Sequence, residues 1–391
     1  MNQSTVRPGD SVAVDFMTDC DRLLRAPLDK WANDLRCNLE SISGEKWNRT
    51  RVGSASAYMN LAALVVANSG DLVAAERLCY AQLNWLTRLA SESGDVTVLG
   101  NAMQPWINLG RLRVLVGNAE DALSHFRLVE NLRDEQTAQL GPCCIRPGMW
   151  QLLVAAEPDL PNVLWNVFVL EQLKAYLRSG NPGRTLSAAT ALRDVAPPRT
   201  HRYIVEAEII AFLRSGHADD ALQKVAQARP ETTSDEIAFL LHQIAAVTVL
   251  GRYGQARRLA VGLAAFVTQS DAGSGEPANF LRQLKQLGLL LERLEESRYA
   301  LAVYLQGTSK CHEQLDEPLY LDFIEGALRL APEHPCARDW RSARDSLLTG
   351  SLYAEVRRRG AVPALDQPSI RGLIVSVQAA AESLGVHTLV E

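Results

Sequence analysis

Residues 106–126 read WINLGRLRVLVGNAEDALSHF, and this stretch indicates how the chain folds. Its apolar residues recur three and four positions apart on both sides of Gly117, a spacing that places them on one face of a helix. Gly117 and Asn118 are residue types that end one helix and begin the next. The small Ala122 leaves room for a second helix to cross closely. The stretch therefore predicts two helices joined by a tight turn.

The same turn recurs along the chain, and the recurrence indicates a repeat architecture. Clear copies begin at Gly70, Gly117, Gly216 and Gly251. A weaker copy begins at Gly180, and a degenerate one occupies residues 292–301, where Ser297 replaces the alanine. Between Val52 and Leu348 the helical spacing continues almost everywhere and strand-like alternation is rare, so the sequence predicts an all-α protein.

The stretch quoted above resembles the tetratricopeptide repeat. The matching positions are Trp106, Leu109, Gly110, Ala122 and Phe126. Arg113 and Asp134 stand where that repeat usually has a tyrosine and a proline. The resemblance implies a right-handed superhelix of stacked antiparallel helix pairs, a TPR-like α-solenoid, with helical N- and C-terminal caps.

We expect three regions along the chain. Residues 1–51 form an N-terminal helical segment, residues 52–330 form the repeat array, and residues 331–391 form C-terminal capping helices. Residues 141–162 contain four prolines and two glycines, so an inserted loop, or a short helix held between loops, is expected within the array. The caps are expected because the end repeats of a stacked array would otherwise expose apolar surface.

Composition and charge disfavour several classes of partner. The chain has 40 basic and 45 acidic residues, a net charge of -5 that offers no overall attraction to nucleic acid or to an anionic membrane. No apolar run approaches the roughly 18 residues of a spanning helix, and the start of the chain lacks the pattern of a signal peptide. The seven scattered cysteines, without a C-x-x-C pair, favour reduced thiols in the cytoplasm.

The sequence predicts no cofactor and no metal site. No glycine-rich phosphate loop has the required form, and the seven histidines lack the spacing of a zinc-binding helix. Cys143 and Cys144, close to Arg146, leave two interpretations open. The pair either provides a thiol of lowered pKa or has only a structural role.

The resemblance also implies where a ligand binds, because the first helix of each tetratricopeptide pair lines a concave groove. The polar residues at those positions are Asn60, Gln104, Asn108, Arg111, Glu171, Lys174, Glu206, His242, Arg282, Gln283 and Gln286. Arg111, Lys174 and Arg282 share a positive charge that suits a carboxylate or an acidic peptide. Trp150 joins the candidates because an aromatic residue in the insertion has no repeat-packing role. A solvated polar wall that binds nothing explains the same residues equally well.

A repeat architecture without a catalytic motif favours a binding scaffold whose groove captures a protein, a peptide or an acidic ligand. Two alternatives stay open. In the first, the 141–162 insertion closes a pocket and the protein is an enzyme, whose catalytic residues the sequence does not reveal. In the second, the array senses an effector as a regulatory protein without its own DNA-binding domain. A homodimer is compatible with all three functions.

Overall fold

The computed structural model describes residues 33–38, 49–68, 71–196, 198–269, 277–314, 317–350 and 375–377. These residues are mostly helical, and helices adjacent in the chain pack against each other, which confirms an all-α protein. Most of the predicted segment 1–51 and much of the predicted caps at 331–391 lie outside the described residues. None of the described helices combines the length and the apolar character needed to cross a bilayer.

The chain divides into two compact units, Leu23–Ser179 with Asp345–Glu391, and Gly180–Arg344 with Met1–Arg22. We call them the 23–179 unit and the 180–344 unit. The helices of the 23–179 unit are α1 (residues 33–38), α2 (Arg49–Asn68), α3 (Leu72–Ser93), α4 (Val98–Leu115), α5 (Ala119–Arg133), α6 (Pro147–Ala156) and α7 (Leu160–Arg178). Helix α4 contacts both α2 and α7, while α3 and α5 pack against that row. The first helices of successive pairs are therefore neighbours.

The 180–344 unit repeats this arrangement. Its described helices are α8 (Pro182–Arg193), α9 (His201–Arg214), α10 (Ala218–Gln227), α11 (Thr233–Val249), α12 (Tyr253–Gln269), α13 (Pro277–Arg293), α14 (Ser297–Gln314), α15 (Glu317–Leu330) and the start of α16 (Ala337–Gly350). Helices α9, α11, α13 and α15 contact one another in succession, and α12 contacts α14. The core between these rows includes Leu241, Ile244, Leu284, Leu291 and Phe323, all at most 1% exposed.

Residues in the left-handed conformation end the first helices, as the turn motif predicts. Gly117, Gly216 and Gly251 have φ angles of 81°, 80° and 71°, which glycine adopts without the steric penalty of a Cβ atom. At the first of these turns, the N–H of Gly117 donates to the carbonyl of Val114 at 3.1 Å, and the following N–H donates to the carbonyl of Arg113 at 2.8 Å. These bonds satisfy the last carbonyls of α4.

The last repeat has the same turn, displaced from the predicted position. Glu295 has a φ angle of 64° and its N–H donates to the carbonyl of Glu292 at 3.0 Å. Ser297, which the sequence placed at the helix crossing, is exposed, and the fully buried Ala300 takes that position. The predicted register was wrong by three residues because the template expects a glycine where Glu295 stands.

Small residues lie at the helix crossings. Ala122, Ala221 and Ala256 are all 0% exposed. A Cβ atom added to Gly110 would lie 2.5 Å from Cε1 of Phe126, a distance that the packed ring does not allow. The close approach that the motif predicts is therefore present in both units.

Residues 141–162 contain more regular structure than a loop. Strand β1 (Ala138–Leu140) pairs antiparallel with β2 (Cys143–Ile145), and Ala138 lies opposite Ile145. Helix α6 follows, and α7 begins at Leu160. The short helix is one of the two predicted forms, whereas the hairpin was not predicted.

Candidate functional site

Six of the predicted groove residues form one connected set of side-chain contacts in the 23–179 unit. They lie on α2, α4 and α7, the row of first helices, and we call them the polar network. Its members are Asn60, Gln104, Asn108, Arg111, Glu171 and Lys174. Template position alone selected these residues, and packing brings them together.

Asn108 is the centre of the polar network. It is 0% exposed, and its Nδ2 donates to Oδ1 of Asn60 at 2.6 Å. Its Oδ1 accepts from Nη1 of Arg111 at 3.1 Å and from Nε2 of Gln104 at 3.4 Å. The amide orientation is fixed because only its oxygen can accept from a guanidinium. Asn108 thus links α2 to the charged part of the network.

That charged part consists of two cations on one carboxylate. Oε1 of Glu171 lies 2.8 Å from Nε and 2.7 Å from Nη2 of Arg111, and 3.6 Å from Nζ of Lys174. The Glu171 side chain is 3% exposed, whereas those of Arg111 and Lys174 are 26% and 17% exposed. Solvent therefore still reaches both cations, whereas it hardly reaches the carboxylate.

The candidates of the 180–344 unit form separate contacts. Nε2 of His242 donates to Oε1 of Glu206 at 2.8 Å, and both side chains are 0% exposed. Nδ1 of His242 is buried and has no hydrogen-bond partner among the residues that the structure describes. Nε2 of Gln283 donates to the carbonyl and hydroxyl oxygens of Ser234 at 2.9 and 3.1 Å. These polar groups connect α11 to its neighbours inside the core.

Three candidates lie elsewhere. Arg282 and Gln286 are partly exposed on α13 of the 180–344 unit, so Arg282 belongs to a different unit from Arg111 and Lys174. Trp150 is 8% exposed and, with Leu153, forms the buried side of α6. The aromatic residue of the insertion thus packs its own helix against the unit.

Sequence reasoning missed a second carboxylate with two cations. Glu208 of α9 is 3% exposed and forms ion pairs with Arg193 of α8 and Lys224 of α10, the latter at 3.0 Å. The carboxylate of Glu208 contacts residues of the second helices α8 and α10, whereas the carboxylate of Glu171 contacts residues of the first helices α4 and α7. The signal available in the sequence was an acidic residue, Glu208 itself, two positions after the template residue Glu206.

Arg113, which replaces the usual tyrosine of the repeat, forms an ion pair with Glu76 of α3. No group of three or more His, Cys, Asp or Glu side chains that could hold a metal ion occurs within the described ranges. Neither a protein-family model nor a curated protein matches the chain. The tetratricopeptide resemblance therefore depends on the turn motif, the small residues at the crossings and the packing of adjacent helices.

Proposed function

We propose that the chain is a tetratricopeptide-like binding scaffold in which the polar network of the 23–179 unit captures an acidic peptide or another carboxylate-bearing partner. In this proposal each unit is part of a right-handed superhelix, and α2, α4 and α7 line its concave side. The observation that carries the proposal is the connection of six template-selected residues across three successive first helices.

The charge of the polar network supports an acidic ligand. Arg111 and Lys174 place two cations beside one carboxylate, and both cations are only partly solvated because each side chain is more than two-thirds buried. An ion pair formed in such a setting is stronger than one on a fully exposed surface. Asn108 and Glu171 hold Arg111 in place, so its guanidinium loses little freedom when a carboxylate arrives.

Lys174→Ala tests the proposal with the least damage to the fold, because Arg111 still pairs with Glu171. We expect this change to weaken binding of a fluorescein-labelled glutamate-rich peptide about tenfold, which corresponds to about 1.4 kcal/mol. Fluorescence anisotropy at low and high salt measures the affinity. The wild-type affinity itself is expected to fall as salt rises, since salt screens partly exposed charges.

Lys224→Ala provides the matched control. Lys224 also shares a buried carboxylate with an arginine, yet it lies on α10, a second helix of the other unit. We expect this variant to bind the peptide as the wild type does. Equal losses in both variants would indicate a nonspecific charge effect, and unchanged binding by Lys174→Ala would place the ligand elsewhere.

A further inference from the structure

A pocket of about 560 Å³ lies between α3 and the β1–β2 hairpin of the 23–179 unit. It shares no residue with the polar network, and we call it the thiol pocket. Its lining consists of Asn84, Thr87, Arg88, Ser91, Pro142, Cys143 and Cys144. The volume is within the range of pockets that hold small molecules.

The sequence builds the thiol pocket from one helix face and one tight turn. Asn84, Arg88 and Ser91 are spaced four and three residues apart, so they share a face of α3. Gly141 has a φ angle of 56°, and a Cβ atom there would overlap the side chain of Leu83. The hairpin turn therefore lies directly on α3, and this contact brings β2 beside the polar helix face.

The two thiols of the pocket differ in accessibility. Both are free, but Cys143 is partly buried and Cys144 is exposed. Burial raises the pKa of the Cys143 thiol, and the neighbouring Cys144 raises it further. For Cys143, the raised pKa is opposite to the lowered pKa that the sequence left open. Cys144 is therefore the thiol that a reagent in solution reaches.

Strand geometry keeps the two cysteines from pairing with each other. Adjacent Cα atoms across a trans peptide are about 3.8 Å apart, shorter than the roughly 4.4–6.8 Å of ordinary disulfides. In a strand, successive side chains also point to opposite faces, and both residues lie in β2. A bond between Cys144 and an external sulfur would thus not be displaced readily by Cys143.

Arg88 supplies a positive charge at the rim of the pocket. Its Nε donates to Oε1 of Glu92 at 2.6 Å, and both side chains are more than half exposed. Exposed pairs of this kind contribute little to stability, so a ligand carboxylate can replace Glu92 at low cost. Asn84 and Ser91 add hydrogen-bonding groups on the same face.

We propose that Cys144 is a site of reversible S-thiolation by a low-molecular-weight disulfide that carries carboxylates, with Arg88 pairing with the carboxylate of the bound half. The Cys144 thiolate attacks one sulfur of the disulfide, and a Cys144 Sγ–S bond forms as the reagent's S–S bond breaks. The departing thiolate takes the electron pair of that bond and accepts the proton that Cys144 released. One disulfide replaces another, so no further oxidant is needed.

The test uses the reduced full-length protein with glutathione disulfide, and with cystamine as a cationic reagent without carboxylates. Peptide mapping by mass spectrometry gives the rate at each cysteine. Cys37 and Cys336, also exposed free thiols, are internal controls. We expect glutathione disulfide to modify Cys144 at least about tenfold faster than either control, since charge steering raises association rates by this order or more.

Two variants separate charge recognition from simple exposure. Arg88→Gln should slow glutathionylation of Cys144 while leaving its reaction with cystamine unchanged or faster, and Glu92→Gln should not slow glutathionylation. Cys143→Ser should still be modified, whereas Cys144→Ser should lose the fast adduct. Similar rates at Cys144, Cys37 and Cys336, or equal slowing of both reagents by Arg88→Gln, would overturn the proposal.

Discussion

The two units fill the same repeat positions with different chemistry. In the sequence, Asn60 and Glu206 each lie ten residues before a glycine of the repeated motif, and Asn108 and His242 each lie nine residues before the next such glycine. In both units the first residue of the pair bonds the second across neighbouring first helices, at 2.6 Å between two amides and at 2.8 Å between imidazole and carboxylate. Repeat position therefore determines which residues meet, and residue type determines what the contact does.

The two contacts lead to different surroundings. Asn108 also accepts a hydrogen bond from Arg111, whose side chain is one-quarter exposed. Glu206 and His242 are both sealed in the core. The amide contact thus leads to side chains that solvent reaches, whereas the imidazole–carboxylate contact connects α9 and α11 where solvent does not reach.

The largest effect is expected at Glu206. Glu206→Ala leaves the buried Nε2 of His242 without its hydrogen-bond partner, which costs about 1–3 kcal/mol, and the packing lost with the Glu206 side chain adds to that cost. Asn60→Ala is the matched change in the 23–179 unit, and it removes a neutral hydrogen bond worth about 1 kcal/mol. Urea midpoints of the two variants measure the difference.

Thiol labelling shows which unit the Glu206 change loosens. Cys311 is 1% exposed in the same buried cluster as the core residues of α11, and Cys79 is 0% exposed in the other unit. Burial raises the pKa of Cys79 to about 12, so near neutral pH it stays protonated and labelling requires opening. We expect Glu206→Ala to accelerate labelling of Cys311 only. An Asn60→Ala variant that is equally destabilised would contradict the comparison.

A smaller effect separates the true register of the last repeat from the predicted one. Ala300→Leu should overpack the crossing of α13 and α14 and destabilise the protein by about 1–3 kcal/mol. Ala122→Leu is expected to do the same at the matching position of the 23–179 unit. Ser297 is exposed, so Ser297→Leu should change the free energy of unfolding by no more than about 0.5 kcal/mol. Urea titration measures this change. The opposite ranking of Ala300→Leu and Ser297→Leu would restore the register inferred from sequence.

The sequence predicted the helix pairs correctly where the turn depends on residue types within the turn itself. A left-handed residue at Gly117 or Gly216 needs glycine, and the crossing at Ala122 needs a small side chain, so both requirements are visible in the sequence. In the last repeat Glu295, and not a glycine, adopts the left-handed conformation. The sequence pattern therefore gave the wrong register there. The hairpin at 138–145 was not predicted because three-residue strands are too short for alternation to be recognised.

The candidate site was predicted as a set of residues but not as a set of contacts. Arg111 and Glu171 lie 60 residues apart, and their pairing requires α7 to pack on α4 after the chain has passed through the hairpin and α6. Burial, which makes the Glu206 contact structural, likewise depends on neighbours that no local pattern specifies. The sequence therefore located the polar positions. Packing determines that Arg111 and Lys174 stay partly exposed to solvent while Glu206 and His242 are fully buried.

The smallest effect is expected at Gln104, and it tests whether the polar network is the ligand site or only borders it. The Gln104 amide donates to Asn108 over a long 3.4 Å contact, and Asn108 keeps its bonds to Asn60 and Arg111 when that contact is lost. Gln104→Ala should therefore cost no more than about 0.5 kcal/mol of stability, the lower end for a hydrogen bond. Because Gln104 is polar but uncharged, we also expect binding of the glutamate-rich peptide to change less than about twofold, well below the 1.4 kcal/mol that marks a tenfold change. Parallel anisotropy and urea titrations of this variant and of Lys174→Ala decide the matter. A tenfold loss of affinity at unchanged stability would mean that the ligand contacts Gln104 directly, and the binding site would then extend toward the start of α4.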